Sequence, residues 1–294
     1  MVNGNANLVI VDQNTTRYFA CANAPTVLET TEAPSQITYH AGGVMSNLYI
    51  QVQDGSTALG NSSLRLRQNG SNTALVATII GETSGEFEDA THTVTVADGD
   101  ELNYSLAVPA DDSFGQVSFA VTSIVFAATS DTVVRHAAAG FVDMSDGATY
   151  ACAFTDLCDT KTAIADEAFA RFDCNGAGLL KNLFVYVATN TSVAGTNNTV
   201  IRSRVNGANG NLVITIVDGV TGIFEDAFAT TGHSDSISAN DDVNYAVESN
   251  AAITTFLLKL LSVEWISTVK QFHSVYAQSG SGIALGFENT RYLP

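Results

Sequence analysis

Two histidines, His92 and His233, stand at matching places among hydroxyl residues and carboxylates, the residue types from which a nucleophile and its base are built. Each follows a Phe-Glu-Asp triplet, Phe87-Glu88-Asp89 or Phe224-Glu225-Asp226, whose paired acids could serve as general acid and base. On a strand, however, neighbouring residues point to opposite faces, so the two acids of a triplet cannot converge on one substrate. The chain contains no G-x-x-x-x-G-K-[ST] phosphate loop, no H-E-x-x-H metal helix and no G-x-S-x-G nucleophile elbow. A histidine hydrogen-bonded at a strand end accounts for each copy without catalysis. The expectation is a protein that is not an enzyme and has no catalytic residues.

Other residue types could bind. Asp98, Asp100 and Glu101, with Asp241 and Asp242 at the corresponding later turn, concentrate carboxylates, and oxygen-rich turns recruit Ca²⁺. Their spacing matches no defined calcium loop, so they read first as solvated acidic turns and second as a cation site; no other cofactor is implied. The four cysteines, Cys21, Cys152, Cys158 and Cys174, show no C-x-x-C spacing and read as buried thiols, with a Cys152–Cys158 disulfide as the alternative. Tyr104 and Tyr245 would make a carbohydrate platform if exposed, but their place in alternating strands puts them in the core, with Trp265.

Charge narrows the partners. Thirty acidic against twelve basic residues give a net charge of −18, which opposes direct binding to nucleic acid or an anionic membrane. No apolar run approaches the roughly 18 residues of a membrane span, since TTFLLKLLSVEWIS is broken by Lys259 and Glu264. The opening MVNGNANLVI has no charged leader or cleavage site, so the chain is expected to be made and folded in the cytoplasm.

The elements that must position these residues occur twice. GEFEDATHTVTVADGDELNY (85–104) is matched by GIFEDAFATTGHSDSISANDDVNY (222–245), NLYIQV (47–52) by NLFVYV (182–187), and SLRLRQNG, ending at Gly70, by VIRSRVNG, ending at Gly207. The offsets are 135 (182 − 47), 137 (207 − 70) and 141 (245 − 104), and they grow only in turns. Arg65 and Arg67, like Arg202 and Arg204, lie two apart and share one sheet face. Asn69-Gly70 and Asn206-Gly207 are tight hairpin turns. LVATII (75–80) and LVITIV (212–217) read as core strands, and 117–127 and 254–266 as the long closing strands. About eight strands per half, separated by Gly, Asn and Asp, make the fold all-β: two tandem antiparallel jelly-roll β-sandwich domains from an internal duplication, at 1–131 and 132–271, with a strand-like tail at 272–294. A helical turn is expected only near 161–170.

The order of NLxxxV strand, Arg-x-Arg-x-Asn-Gly hairpin and V-x-V-x-x-G-D strand entry resembles the small TNF/C1q-like jelly-roll domains of phage virion proteins and bacterial surface fibres. Two such domains in one chain resemble the tandem, or double, jelly-roll virion structural proteins. The resemblance implies a virion structural protein, a capsid or capsid-surface subunit assembled in the host cytoplasm. It also implies self-assembly as a homo-oligomer, trimeric or higher, with other virion or surface proteins as partners. Alternatives are a subunit of an extracellular filament or cell-surface layer, and a carbohydrate-binding surface module. The tail opens like a third unit: Thr16-Arg17-Tyr18, Val134-Arg135-His136 and Gln271-Phe272-His273 each precede a strand-like run. A lone strand must pair its backbone, either by folding back onto its own domain or by joining the edge of a neighbouring subunit, and the second route is the one expected here. Phe272, Tyr276, Phe287, Tyr292 and Leu293 are therefore the expected assembly contacts.

Overall fold

Alternation of apolar and polar residues over short runs demands sheets with one dry face, and each half of the chain builds two of them. The computed structural model describes residues 9–267 except 22–27, 54–56, 111–114, 130–131, 144–148, 153–161, 164–166, 168–170, 175, 192–197 and 250–254.

In the first unit one sheet runs β1 (Val9–Asp12), β9 (Gln116–Ala128), β4 (Gly43–Val52), β7 (Gly85–Val96). The other runs β2 (Thr15–Phe19), β8 (Glu101–Val108), β5 (Ser62–Gln68), β6 (Ser71–Ile79), with the short β3 (Ile37–Thr38) also on β8. In the second unit one sheet is β10 (Thr132–Asp143), β20 (Phe256–Ser267), β14 (Gly178–Asn190), β17 (Gly222–Asp226), with β18 (Asp235–Ile237) beside β14. The other is β12 (Thr162–Ala163), β11 (Thr149–Cys152), β19 (Asp241–Ser249), β15 (Thr199–Val205), β16 (Ala208–Ile216), with β13 (Phe172–Cys174) on β19. Setting aside the short strands, the eight principal strands of each unit pair 1-8-3-6 and 2-7-4-5. The chain therefore crosses repeatedly between two antiparallel sheets, which is the jelly roll. Every ladder is antiparallel.

Each sandwich closes on its own core. Phe19, Met45, Leu48, Leu64, Tyr104 and Phe119 fill the first, and Leu183, Val185, Ile201, Ile214, Tyr245 and Trp265 the second. Tyr104, Tyr245 and Trp265 are buried as the strand pattern requires. A third, small cluster joins Ile37 of the first unit to Phe184 and Leu260 of the second.

The duplicated turns fold alike. Asn69 and Gly70 take φ of 50° and 74°, and Asn206 and Gly207 take 51° and 79°, the left-handed pair that a two-residue primed hairpin needs. Within 161–170 the described residues are the two-residue strand β12 and Glu167, which lies in 3-10 helical conformation where the helical turn is expected. The α-helix is one turn, α1 (Phe228–Thr231), closed by Gly232 at φ 70°. It occupies the insertion that lengthens the second copy after its Phe-Glu-Asp triplet.

Candidate functional sites in the two units and at their junction

The Phe-Glu-Asp triplets split as strand geometry demands: Glu88 is exposed while Asp89 is buried, and Asp226 is buried beside a half-buried Glu225. From β7 the Asp89 carboxylate accepts the N–H of Val76 on β6 at 2.9 Å, so it ties one sheet to the other. It also accepts the N–H groups of Thr91 and His92, both at 3.1 Å, and contacts His92 Nδ1 at 2.9 Å. Burial alone would raise this carboxyl, but the N–H donors of Val76, His92 and Thr91 and the His92 ring outweigh it and hold the group well below the usual carboxylate range.

Asp226 repeats the arrangement with Val213 N–H at 2.8 Å, Thr231 Oγ1 at 2.7 Å and His233 Nδ1 at 3.0 Å. In the first copy the histidine lies three residues after the aspartate; in the second it lies seven, across α1. The same atoms meet over different backbone paths. The pair is an inter-sheet staple, and each histidine is spent orienting on a carboxylate.

The second duplicated network braces the Asn-Gly hairpins. Arg67 forks onto Glu32, with Nη2–Oε2 at 2.7 Å, and also donates to Asn72 Oδ1 and the Gly70 carbonyl. Arg204 forks onto Glu167, with Nη2–Oε2 at 3.0 Å, and donates to Asn209 Oδ1 and the Gly207 carbonyl. Bidentate guanidinium–carboxylate pairs fix orientation as well as charge. Burial opposes ionisation of Glu167, but the bonds from Arg204 and the Arg171 charge keep its carboxyl low. The other arginine of each pair stays local: Arg65 donates to the Thr73 carbonyl at 3.0 Å and Arg202 pairs with Glu248 at 3.0 Å.

The acidic turns do not gather their carboxylates. Asp100 accepts from Ala97 N–H at 2.7 Å, Gln68 Nε2 at 2.6 Å and Asn69 Nδ2 at 2.7 Å. Asp241 accepts from Ser238 N–H and Asn206 Nδ2, both at 2.7 Å, and Asp242 faces Arg171 at 3.4 Å. Glu101 is exposed and donates its N–H to Asn69 Oδ1 at 2.9 Å, while Asp98 lies 3.5 Å from His40 Nδ1. Among the described residues no group of three His, Cys, Asp or Glu side chains is arranged to hold a metal ion. The Asp100 and Asp241 carboxylates are engaged in closing the turns.

Cys152 is a buried free thiol whose side chain belongs to the second core; Cys158, its partner in the disulfide alternative, lies outside the described residues. Cys174 is likewise a buried free thiol, and Cys21 is buried with its sulfur 3.5 Å from the Tyr39 hydroxyl. Burial, with Asp173, Asp241 and Asp242 nearby, pushes the Cys174 thiol up to about 12. Phe272, Tyr276, Phe287, Tyr292 and Leu293, the expected assembly contacts, also lie outside the described residues.

The outer faces of the matching sheets, in contrast to the staples, have diverged. On the second unit, Ile223, Tyr186 and Leu260 form one cross-strand row and Glu225, Phe184 and Ser262 the next. The corresponding positions of the first unit hold Glu86, Gln51 and Val121 in the first row, while the second row, Glu88, Tyr49 and Ser123, is nearly the same in both units. The apolar face is the one covered by Ile37. Beside Ile37, the His40 N–H donates to Glu264 Oε1 at 2.9 Å and its Nε2 lies 2.6 Å from Glu225 Oε1. Glu264, on the outward side of β20, is 2% exposed and accepts from Asn182 Nδ2 at 2.6 Å. Asn182 in turn accepts the Phe228 N–H at 2.7 Å, which links α1 to the junction.

No protein-family model and no curated protein sequence matches the chain. Solved structures with some likeness include a Paenibacillus xanthan lyase, at TM-score 0.23 and 9% identity, covering 90% of this chain and 25% of that one. The VP2 subviral particle of infectious bursal disease virus aligns at TM-score 0.26 and 9% identity over 91% of this chain and 72% of that one. A plant receptor-like kinase, ANX2, aligns at TM-score 0.22 and 11% identity over 91% and 97%. The chain thus spans a quarter of the lyase. Viral capsid proteins are among these neighbours, but likenesses of this size carry no argument about function.

Sequence reasoning did not find Glu32, Glu167, His40 or Glu264 as site residues. The first two are partners of arginines that the repeat had singled out, so a search for one acid at matching places in both halves could have found them. His40 and Glu264 have no counterparts in the other unit, where Asn175 and Val125 stand, and no repeat could flag them.

Proposed function

We propose that this protein is a virion structural subunit, in a capsid or on its surface, that self-assembles through the sides of its jelly-roll units. The observation that supports this most is the contrast between the two copies. Their interior staples share the strand N–H and the histidine ring as partners, and their hairpin braces repeat bond for bond, whereas one outward row, Glu86-Gln51 against Ile223-Tyr186, differs. A rigid framework with variable faces suits a part whose work is contact. Exposed aliphatics add to it: Val217 and Val220 lie in the turn before β17 with Ile223 at its start, and Leu59 and Ile80 lie at the matching end of the first unit. The acidic balance keeps such faces from indiscriminate association.

On this reading the tail, 272–294, supplies intermolecular contacts through Phe272, Tyr276, Phe287, Tyr292 and Leu293, pairing with a sheet edge of a neighbouring copy. Assembly about a three-fold axis and a virion location, reached from the host cytoplasm, belong to the same proposal. Negative-stain imaging of the purified full chain at rising concentration tests it. Closed particles or discrete trimers are expected; open fibres would favour an extracellular filament or surface layer, and a monomer at every concentration would refute both. Deleting 274–294 should leave folded protein that no longer assembles.

A further inference from the structure

We propose that His40 is a protonation-dependent clasp between the two units, closed while the ring is an imidazolium and loosened when it is neutral. Residues from five places lie at or near it. Glu225 on β17 lies 2.6 Å from Nε2, and Asp98, in the turn after β7, lies 3.5 Å from Nδ1. Glu264 on β20 takes the His40 backbone N–H. Lys181 on β14 sits opposite Glu264 in the ladder, but its ammonium is 4.4 Å from the centre of the Phe228 ring, and Arg135 occupies the facing register position on β10. Carboxylates thus face both ring nitrogens.

A neutral imidazole has one N–H and one lone pair. If Nε2 carries the proton and donates to Glu225, the Nδ1 lone pair is turned on the Asp98 carboxylate. If Nδ1 carries it, two acceptors confront each other across 2.6 Å at Glu225. Only the doubly protonated ring turns an N–H toward each carboxylate. It makes a charge-assisted bond to Glu225, about twice as strong as a neutral one. Its contact to Asp98 is longer, at 3.5 Å, and Asp98 is itself 74% exposed and water-screened. His40 is well shielded, with 17% of its side chain exposed, and Glu225 has 20%, so water screens the pair poorly. The clasp sits at the rim of the Ile37, Phe184 and Leu260 contact, the apolar patch that joins the cores.

The consequence is a junction whose grip depends on pH. It is firmest where imidazole is charged and the carboxylates are ionised, and it weakens as pH rises through the histidine range. Nothing inside either sandwich needs to change.

The test uses the full chain with donor and acceptor dyes on Thr83→Cys and Ala229→Cys, both exposed sites in different units, in a Cys158→Ser background. Single-molecule energy transfer is recorded from pH 5.5 to 8.5. The ratio of closed to open molecules should fall by about tenfold across that range, the factor carried by one charge-assisted bond. His40→Gln, which keeps an N–H donor but cannot be protonated, should hold the alkaline ratio at every pH. A wild-type ratio that stays flat overturns the proposal, as does a His40→Gln chain that still responds. Should His40→Gln fail to fold, Glu225→Gln serves: it must cut the pH response by more than half, and an unchanged response overturns the clasp.

Discussion

Replacing Asp89 by Asn keeps the volume and one acceptor oxygen of the inter-sheet staple but removes its charge. The carboxylate serves three backbone N–H groups, those of Val76, Thr91 and His92, together with the Thr91 hydroxyl at 3.0 Å. Hydrogen bonds to a charged acceptor are worth about 1.5–3 kcal/mol, and a buried donor left unmatched costs about 1–3 kcal/mol. The contact to His92 is discounted, because that ring is 55% exposed and water screens it. One weakened cluster plus one unmatched N–H sets the expected loss at about 3–5 kcal/mol, a large share of what holds a domain of this size. Urea unfolding followed by far-ultraviolet circular dichroism reads both units, whereas fluorescence of Trp265, buried in the second core, reads only that unit. The dichroism transition of the first unit should move to lower urea while the Trp265 transition shifts by less than about 0.5 kcal/mol. The acid limb adds a second readout. Because the folded Asp89 carboxyl is held low, its contribution is fully present above the unfolded value of about 3.9 and is lost as pH falls below it. The Asn variant should lack that loss. An Asp89→Asn chain that unfolds within about 0.5 kcal/mol of wild type, with the same acid profile, would refute the staple.

Gly178→Ala places a methyl 2.7 Å from the Trp265 ring and 2.5 Å from the Ile266 carbonyl; it should cost about 2–3 kcal/mol and displace the fluorescence maximum of the native state. Asn69→Ala breaks the bonds to Asp100 and to the Glu101 N–H and puts Ala at φ 50°, so calorimetry should show a loss of about 1–2 kcal/mol. Because Asp100 and Asp241 are already engaged by turn donors, adding millimolar Ca²⁺ or a chelator should leave the thermal midpoint unchanged, and a rise of several degrees with Ca²⁺ would reopen the cation site. Cys174, with its thiol near 12, should resist a disulfide reagent at pH 8 in the native protein and react on unfolding.

Most of the fold was legible because strands with one buried face write their period into the chain. The alternation in Leu64-Arg65-Leu66-Arg67 predicts leucines in and arginines out, and the structure has them so. The Asn-Gly turns were legible for a local reason, since few other dipeptides tolerate two positive φ angles. Helix α1 was not, because a single turn inside an insertion has no period to detect. The staple was half legible: the repeat marked Asp89 and His92, but not that Asp89 would reach Val76 on the opposite sheet, which is a fact of sandwich packing. The junction could not be read at all. His40 meets Glu225 across 185 positions, and that meeting depends on how two finished domains lie against each other.

The divergence of the outer faces makes the duplication directional. A tandem array in which every copy kept the same two surfaces could stack without limit, as solenoids do until a polar capping repeat stops them. Here the first unit presents Gln51 and Glu86 where the second presents Tyr186 and Ile223, and Val125 where the second has the Glu264 that takes the His40 N–H. The second unit's end has lost His40 and Asp98, whose places are taken by Asn175 and Ala239. Exchanging the order of the two halves in a rearranged gene would preserve both sandwiches and abolish the seam between them. A third copy joined ahead of the first would meet a charged surface and swing free on its linker. The two modules have ceased to be interchangeable, and the chain reads in one direction only.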